Sequence, residues 1–558
     1  MRWLALGVSI LAVLLGLPVL SVLGSWFSAD AQAWATLSHQ WQTVLPGYAL
    51  ESALLALCVA LGVTLVGAGA AAFVTLFEFP LRRVFEWALL LPLAMPAYVL
   101  AYVYTDALQF SGPVQMQLRA WTGAQGALWP DVRSLPAAVV LFTLALYPYV
   151  YLLTRAALAE RGVQLMEAAR LLGAGFWRRV MEVALPLARP AIAAGVALAL
   201  METLADYGVS AFFGLGTFST GIYQAWLAMN DRMAAAQLAS MLLVLVALLL
   251  WIERRAQSRI RFAASRQGPA SSQDAQPLVL RGGLSVLAFS LCAAPVLLGF
   301  LLPMALLLRL LAQELQYAEL GLPLQSFGHW AWGSFRLATG AAVLACGLAL
   351  ALAFLQRMPL GLGAGGAGRL ASAGGALATG ATRWATRVVS LGYAVPGGVI
   401  AVGILLPLGW VQQAAPQWGV PALFTGTVLG LMSAYLVRFS AVALQSVESG
   451  YARVPPSIDE TARMLGAGPG RVFGELHLPL LRRSLLAAGL LVFVDVMKEL
   501  PATLVLRPFN ADTLAVVAFN LARDERLGEA ALPSLAIVLV GLIPVVLLSR
   551  ALSKKGLA

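Results

Sequence analysis

Two pairs of carboxylates lie within apolar stretches of the sequence, each pair with a four-residue spacing. Glu202 and Asp206 form the first pair, and Asp495 and Glu499 form the second. Residues four apart share one face of a helix, so each pair can present its oxygens together. Carboxylates, with a phenolic oxygen such as that of Tyr207, suit a hard, highly charged cation. Ionisable residues inside a membrane are candidates for a transport path, and these five residues form the candidate cation pathway.

The same carboxylates have a second interpretation, in which they only hold helices together. Glu202 and Asp206 can bond to neighbouring helices, and Lys498 can neutralise Asp495 or Glu499 as a buried ion pair. Both interpretations stay open on the sequence alone. The three cysteines and three histidines are scattered along the chain and lack the spacing of a zinc or redox site. The sequence therefore predicts no catalytic residue and no stable metal site.

Composition places these residues in a membrane protein. Of the 558 residues, 60% are hydrophobic and 11% are charged, whereas a soluble domain has about 25% charged residues. The net charge of +11 fits an excess of Lys and Arg in cytoplasmic loops, and no feature indicates a nucleic-acid surface. We expect an all-α polytopic protein in the lipid bilayer, with no nucleic-acid partner.

Apolar stretches long enough to cross a bilayer number twelve, since a span needs about 20 residues. Those of the first half lie near residues 3–23, 49–76, 86–106, 136–154, 190–213 and 234–252, and those of the second near 284–311, 334–355, 388–410, 421–441, 485–506 and 531–550. The stretch 253–281 carries Gly268, Pro269 and Pro277 and is predicted to be a cytoplasmic linker. The expected domains are a first half over 1–252, this linker, and a second half over 282–558.

Basic residues predict the orientation of the spans. The Arg82 and Arg83 pair, the loop 155–189 and the loop 453–483 fall on one side, whereas opposite loops such as 411–420 carry almost no Lys or Arg. The positive-inside rule then places both termini in the cytoplasm. A signal peptide over residues 1–33 is the competing interpretation, but its removal reverses the sidedness that the arginines support.

The two halves repeat one another in sequence. Glu167-Ala-Ala-Arg-Leu-Leu-Gly173 recurs 293 residues further on, from position 167 to position 460, as Glu460-Thr-Ala-Arg-Met-Leu-Gly466, and the acid pairs keep this offset. Six spans in each half predict a parallel repeat about an axis along the membrane normal. The four acids are therefore expected to converge near that axis.

Upstream of the motif the repeat continues with small insertions. Pro96 in the third span corresponds to Pro396 in the ninth, and Pro80 corresponds to Pro359. Between Pro359 and Pro396 the second half carries an extra Gly/Ala-rich stretch around 362–380. Its composition predicts a flexible cytoplasmic insertion.

The repeated motif lies in a polar loop between the fourth and fifth spans of each half, over 160–189 and 446–483. Its residues are good helix formers, and Gly173 or Gly175 can end the helix in the left-handed conformation that glycine adopts without strain. The small alanines let one helix face approach a partner's backbone closely. An amphipathic helix resting on the membrane surface is the alternative.

Because it appears twice, with the glycine at +6 and Leu-Pro at +18 and +19 from the glutamate, the motif resembles the "EAA" loop of bacterial ABC importer permeases. The resemblance implies a type I importer permease fold, with about 12 transmembrane helices as two parallel six-helix repeats. It also implies that each loop docks on one copy of a separate ATP-binding subunit. The residues that would take this coupling role are Glu167, Ala168, Ala169, Arg170, Gly173, Glu460, Thr461, Ala462, Arg463 and Gly466.

The sequence contains no phosphate-binding loop of the form G-x-x-x-x-G-K-[ST]. We therefore expect this chain to be a transport subunit and not an enzyme, with no cofactor of its own and with ATP and Mg²⁺ on the partner. An ion-driven secondary transporter also has parallel halves, but it has no use for two matching loops. A membrane-embedded enzyme is disfavoured because the polar loops hold no catalytic set.

The segments around the acids resemble ferric-iron permeases that fuse both halves in one chain. These segments are Pro92–Tyr104, Glu202–Gly208, Thr220–Trp226 and Lys498–Pro508. The resemblance implies a multi-pass protein of the bacterial inner membrane that receives ferric iron from a periplasmic Fe³⁺-binding protein. That protein would dock on 212–223 and 508–529, and transport would proceed by alternating access. Thiamine and other small-solute permeases share this plan, so the substrate stays open.

Overall fold

A computed structural model describes residues 2–28, 31–265, 278–317, 322–357 and 369–554, and these are almost entirely helical. The helices of the first sequence half are Arg2–Gly24, Ala31–Gln42, Leu45–Val63, Gly69–Leu76, Arg82–Ala88, Ala97–Leu108, Pro113–Thr122, Leu135–Leu171, Phe176–Arg179, Leu185–Ala205, Gly208–Phe212, Phe218–Tyr223 and Arg232–Ser265. Those of the second are Gly283–Val296, Leu302–Tyr317, Leu324–Arg357, Arg369–Leu391, Gly397–Ala414, Val420–Thr425, Leu429–Tyr451, Pro456–Met464, Pro469–Arg471, Leu478–Met497, Pro501–Leu506, Leu514–Arg523 and Leu527–Lys554.

Short irregular turns and one small sheet complete the secondary structure of the described residues. Wide π-helical turns occupy Thr64–Ala68, Val180–Ala184, Gln224–Ala228, Leu297–Leu301 and Val472–His477, and 3-10 turns occupy Ser25–Ser28, Leu91–Ala94, Gly392–Ala394 and Pro416–Trp418. The strands Phe77–Glu78 and Leu278–Val279 pair in parallel. The all-α polytopic class expected from the composition is therefore observed.

Ten helices among the described residues are long and apolar enough to cross a membrane. An eleventh is reached if the pair Arg82–Ala94 and Ala97–Thr122, bent by 89°, counts as one span. The predicted span near 485–506 corresponds to helix Leu478–Met497, whose apolar character is reduced by Arg482, Arg483 and Asp495. The twelve predicted stretches thus all coincide with helical segments, although those near 86–106 and 388–410 are broken at a proline and the one near 485–506 is charged.

The bend in the third span follows from a proline that recurs in the ninth. A residue that precedes proline is driven out of the helical region, and Met95 before Pro96 has ψ of 112°. Val395 before Pro396 has ψ of 123°. In both halves a 3-10 turn therefore ends here and a new helix begins. For this reason the stretch near 388–410 includes the end of helix Arg369–Leu391, and its span is helix Gly397–Ala414.

The described parts of the predicted linker and of the predicted flexible insertion are mostly helical. Helix Arg232–Ser265 continues well into the stretch 253–281, and Leu278–Val279 forms a strand. Gly268, Pro269 and Pro277 lie outside the described residues. In the Gly/Ala-rich stretch 362–380, residues from 369 onward belong to helix Arg369–Leu391, so that part of the expectation of a flexible insertion is wrong. Alanine favours a helix enough to offset the glycines.

The chain divides into two compact units, and neither coincides with a sequence half. One unit comprises Met1–Trp34, Ala225–Ser240 and Gln325–Val516. Within it, the first helix of the chain packs against Gly397–Ala414. The Ser21 hydroxyl donates a hydrogen bond to the carbonyl of Gly403, and a side chain at Gly403 would meet the Pro18 carbonyl at 2.2 Å.

The other unit comprises Ala35–Gln224, Met241–Leu324 and Val517–Ala558. Helix Leu135–Leu171 packs against Leu185–Ala205 and Leu45–Val63 at its centre. Gly283–Val296, from the second sequence half, also belongs to this unit, where Phe289 meets Phe85 with ring centroids 5.4 Å apart. Each unit therefore draws helices from both halves of the sequence.

Candidate functional site

Both copies of the repeated motif end in the same backbone cap. Gly173 and Gly466 have φ of +81° and +79°, which confirms the predicted left-handed ending at Gly173. The Gly173 amide donates to the Arg170 carbonyl and the Ala174 amide to the Ala169 carbonyl, each at 2.9 Å. In the second copy the Gly466 amide donates to the Arg463 carbonyl at 2.9 Å and the Ala467 amide to the Ala462 carbonyl at 3.0 Å. This Schellman pattern satisfies carbonyls that the helix end would otherwise leave free.

The two copies differ in how the motif helix joins the span before it. In the first half, helix Leu135–Leu171 runs without interruption from the fourth span through the motif. In the second half the span ends at Tyr451, and a separate helix begins at Pro456. Pro455 and Pro456 force that break, because proline cannot continue a helix that precedes it. A separate short motif helix, expected in both halves, is therefore found only in the second.

The caps present large apolar side chains to the surface in both halves. At the end of the first copy Leu171 and Leu172 are 85% and 88% exposed, and at the end of the second Met464 and Leu465 are 89% and 82% exposed. In the first copy Ala168, Arg170 and Gly173 are also exposed, and the side chain of Glu167 lies outside the described residues. Exposed apolar tips at repeat-equivalent places are typical of a surface that binds another protein.

The second motif helix is held from beneath by a small apolar cluster. Ala462 is buried against Phe354 and Val472, and the rings of Phe354 and Phe473 lie 4.9 Å apart. Glu460, Thr461 and Arg463 remain exposed on the opposite face. The small side chain at Ala462 thus allows close packing onto the chain's own core, while the charged face is exposed.

A buried ionic network also fixes the second motif helix. The Asp459 carboxylate accepts hydrogen bonds from Arg357 Nε at 2.6 Å and pairs with His477 Nε2 at 2.8 Å. His477 Nδ1 lies 3.1 Å from the Tyr451 hydroxyl. The rest of the Arg357 guanidinium donates to the carbonyls of Tyr451, Val454 and Pro455 at 3.0, 2.7 and 3.0 Å. Arg357 therefore joins the end of its own helix to the bend before the motif.

The charge state of Asp459 follows from this network. Burial by itself disfavours ionisation of the carboxyl. The hydrogen bonds and charges of Arg357 and His477 outweigh burial, so the pKa of Asp459 lies below its ordinary value of 3.8. The carboxylate is thus ionised at neutral pH, and the ion pair with Arg357 is in place.

In the first pair of candidate acids, Asp206 acts as a helix cap. Helix Leu185–Ala205 ends just before Asp206, and the Asp206 carboxylate accepts the amide of Val209 at 2.8 Å. A carboxylate in this position satisfies a free amide at the start of helix Gly208–Phe212. Glu202 lies one turn earlier and is half-buried.

In the second pair, Glu499 makes the equivalent cap. Its carboxylate accepts the amides of Ala502 and Thr503 at 2.9 and 3.0 Å, at the start of helix Pro501–Leu506. The positions of Val209 and Ala502 correspond in the repeat. The structural interpretation of these acids therefore has direct support at Asp206 and Glu499.

Glu499 also has a buried cationic partner that the sequence reasoning missed. Arg438 Nη1 lies 3.4 Å from Glu499 Oε1, and both side chains are at least nine-tenths buried. The signal for Arg438 was available, because it is a basic residue within the apolar stretch 421–441. Lys498 pairs with Asp495 at 2.9 Å instead. Of the two partners considered for Lys498, the structure shows Asp495.

The two acid pairs lie in different compact units. Glu202, Asp206 and Tyr207 belong to one, and Asp495 and Glu499 to the other. Their convergence near a common axis stays a prediction. The Tyr207 ring stacks on Tyr223 with centroids 3.9 Å apart, which identifies an aromatic contact for it. Within the described residues, no group of three or more His, Cys, Asp or Glu side chains is arranged to hold a metal ion.

Two adjoining polar cavities lie at the end of one unit away from the motif. They have volumes of about 340 and 430 Å³ and share Thr105, Gln109, Arg133 and Glu525. The remaining carboxylates in their walls are Asp106, Asp131 and Glu314. Arg133 lies 3.5 Å from Glu525, and the charge of Arg309 acts on Asp106. The negative charge of the walls therefore comes mainly from Asp131 and Glu314.

These cavities bring together two distant parts of the chain that the sequence reasoning proposed as a dock. Phe212 comes from the stretch 212–223, and Ala522, Glu525, Leu527 and Gly528 come from 508–529. The Arg133 guanidinium lies 4.9 Å above the Phe212 ring. The remaining members of both stretches do not line these cavities.

Comparison with known proteins agrees with the repeat. The family model described as "Binding-protein-dependent transport system inner membrane component" matches twice, over residues 63–262 and 373–555, and together the matches cover more than half of the chain. Each match contains one copy of the motif.

Several known permeases are similar in sequence. The Fe(3+)-transport system permease protein FbpB 2 of Haemophilus influenzae is 24% identical over 502 residues, which are 89% of this chain and 88% of that protein. The molybdenum transport system permease protein ModB of Escherichia coli (strain K12) is 30% identical, over 32% of this chain and 81% of its own length. A putative 2-aminoethylphosphonate transport system permease protein, PhnV of Salmonella typhimurium, is 28% identical, over 31% of this chain and 62% of its own length.

Proposed function

Since this chain belongs to the family of binding-protein-dependent transport system inner membrane components, we propose that it is the permease of an ATP-driven importer for ferric iron. In this proposal one chain supplies both halves of the path through the inner membrane. Two copies of a separate ATP-binding subunit drive it, and a periplasmic Fe³⁺-binding protein delivers the substrate. The iron assignment rests on the similarity to an Fe(3+) permease, which extends along 89% of the chain. The similarity to the molybdenum and phosphonate permeases extends along about a third of it.

The two capped motif helices support the coupling role. They are surface features with matching backbone caps, and each offers two exposed apolar side chains at its tip. A cleft on an ATPase subunit that covers these tips would remove their apolar surface from water, which is favourable by about 25 cal/mol per Å². Closure of two ATPase subunits would then move both motif helices and change access to the path.

The motif helices mark the cytoplasmic side in this proposal, with both termini on that side. The polar cavities then face the periplasm, at the opposite end of the long helix that begins just after Arg133. Their negative walls suit a basic surface on the binding protein. They also attract a cation that the binding protein releases.

Within the membrane, Glu202 and Asp495 are the acids that we propose to contribute to a cation path. The carboxylates of Asp206 and Glu499 already accept hydrogen bonds from helix-start amides. We therefore choose the acid one turn earlier in each pair as the candidate for contact with a passing cation. Asp495 lies beside Lys498, so a passing cation would compete with the lysine ammonium for the carboxylate. Tyr207 supplies a phenolic oxygen next to this position in the first half.

Uptake by intact cells tests the substrate directly. Cells with and without the chain are given radioactive ferric iron, and parallel samples receive labelled thiamine, molybdate or 2-aminoethylphosphonate. We expect only iron uptake to depend on the chain and on an ATPase partner. Loss of uptake of another solute, with iron uptake unchanged, would refute the iron assignment and keep the importer architecture.

A second test separates coupling from insertion in the membrane. Replacing Leu171, Leu172, Met464 and Leu465 with serine removes the apolar tips and leaves the buried side of each motif helix intact. We expect the variant to be inserted in the membrane at the wild-type level. After purification, we expect it no longer to retain the ATPase subunit. Unchanged co-purification and uptake would contradict the coupling role of these helices.

A further inference from the structure

An apolar groove runs along one face of helix Leu185–Ala205. It consists of two cavities of about 610 and 440 Å³, which share Leu200 and Leu249, and its other walls come from helices Leu45–Val63 and Arg232–Ser265. On Leu185–Ala205 the wall residues follow helical spacing from one end to the other: Leu185, Arg189, Ile192, Val196, Leu200 and Leu204. At 1.5 Å per residue this stripe is about 28 Å long, close to the roughly 30 Å of a bilayer's hydrocarbon core.

The groove leaves no polar group for an occupant along most of its length. Ser52 in the wall already accepts the Phe218 amide at 3.1 Å, and the Thr64 hydroxyl donates to the Ala60 carbonyl at 2.6 Å. The remaining wall side chains with hydrogen-bonding groups are Arg189, at one end of the first cavity, and Trp41 in the second cavity. An occupant that fits is therefore apolar along its body.

The chemistry of the groove walls favours a hydrocarbon chain. Most of the wall side chains are aliphatic, and an acyl chain carries no backbone polar groups that would need partners there. A lipid tail thus matches the chemistry of the groove.

Arg189 determines which headgroup suits this tail. Its side chain is exposed, and it makes no hydrogen bond or ion pair with the part of the chain that the structure describes. It lies at the groove end nearest the motif, which is the cytoplasmic end in the proposed orientation. A guanidinium at the membrane border attracts anionic lipids and holds a phosphate through paired N–H groups.

The corresponding place in the second half has different side chains. Ser334 accepts the Leu514 amide at 2.8 Å, which is the counterpart of the bond between Ser52 and Phe218. The next residue after the serine is Ala53 in the first half and Phe335 in the second. In the second half Phe335 meets Phe493 with ring centroids 5.6 Å apart. Phe493 is the repeat equivalent of Leu200, so the second half has an aromatic pair where the first half has Ala53 and Leu200.

From these observations we propose that the groove binds one anionic phospholipid, with its phosphate on Arg189 and an acyl chain along the part of the groove from Arg189 to Leu200. This part is about 16 Å long, close to half of a bilayer's hydrocarbon core of roughly 30 Å. The binding site does not depend on the transported substrate. Its specific function is to fill the space between helices of one unit that the side chains leave open.

Native mass spectrometry of the full chain in mild detergent tests the proposal. The probes are phosphatidylglycerol and phosphatidylcholine with identical tails. We expect wild type to bind phosphatidylglycerol more tightly. The variant Ala53→Phe/Leu200→Phe, which copies the aromatic pair of the second half, is expected to lose the bound lipid.

Arg189→Gln tests the headgroup contact, with Arg482→Gln at the repeat-equivalent position as its control. Loss of one basic contact to an anionic headgroup weakens binding about fivefold, and we expect this loss in Arg189→Gln alone. Thermal unfolding of each variant shows that it is folded. Unchanged lipid binding in the folded Ala53→Phe/Leu200→Phe variant overturns the site. Equal affinity for the two lipids, or a protein segment found in the groove, overturns it as well.

Discussion

Removal of Arg357 is expected to release the second motif helix from the rest of the chain. The guanidinium pairs with Asp459 at 2.6 Å and donates to three carbonyls of the bend before the motif. Arg357→Met takes away all four bonds and leaves the Asp459 carboxylate buried with His477 as its remaining partner. Breaking a buried ion pair by removing one partner costs about 3–5 kcal/mol. Because Arg357 is partly accessible to water, we expect the lower end, about 3 kcal/mol.

Amide hydrogen exchange measures this loss where it occurs. The amides of Gly466 and Ala467 form the cap bonds of the motif helix, and they exchange only when the helix end opens. A loss of about 3 kcal/mol raises the exchange rate roughly 100-fold. The cap at Gly173 is the internal control. The first half has Met166 at the position equivalent to Asp459, so its motif helix has no corresponding ion pair for the substitution to break.

A double-mutant cycle decides whether the ion pair is the cause. We expect Arg357→Met/Asp459→Met to be less destabilised than the two single variants together, by about 1–3 kcal/mol. Methionine is the residue that the first half uses at the equivalent of Asp459. Additive losses, or equal increases in exchange at both caps, would show that the reasoning about the network is wrong.

Three further predictions concern single residues. Gly466→Ala is expected to lower the free energy of unfolding by about 1–2 kcal/mol, because the φ of Gly466 is +79°. The control Gly468→Ala is expected to lower it little, since an added side chain meets open space at both positions. Equal shifts in unfolding temperature for the two variants would contradict this prediction. Glu499→Gln is expected to destabilise the chain by about 3 kcal/mol, since it leaves Arg438 buried without its carboxylate; an unchanged unfolding temperature would exclude that pair as a source of stability. The stability that Asp459 contributes is present above its ordinary pKa of 3.8 and is lost as the pH falls below that value, so Asp459→Asn should unfold with a flatter pH dependence than wild type between pH 5 and pH 2.

Local features of this protein could be predicted from the sequence because they depend on residues close together in the chain. Apolar runs of about 20 residues predict helices that cross a membrane. The proline at 96 and its counterpart at 396 break two of these runs, and the glycine at 173 ends the motif helix. The repeat at an offset of 293 residues predicts that the same helix-ending features recur in the second half. The cap at Gly466 indeed has the same two hydrogen bonds as the cap at Gly173.

Pairing between distant residues required the tertiary structure. Arg438 and Glu499 are 61 residues apart in the chain, and Arg357 and Asp459 are 102 apart. No local pattern identifies such partners, because chain topology and packing decide which side chains meet. For the same reason the sequence alone left open whether the acid at 499 belongs to a cation path or to a buried ion pair.

Helix exchange between the sequence halves was also decided by packing. Residues 1–34 belong to the same compact unit as residues 325–516, although in the sequence they are part of the first half. The hydropathy of this first helix predicts that it crosses the membrane but contains no information about its neighbours. In a bilayer any apolar helix is soluble in lipid, and close fit at positions such as Gly403 selects the partner. Local sequence therefore predicts where the helices lie and where some of them end, whereas packing in the folded chain selects the surfaces that these helices share.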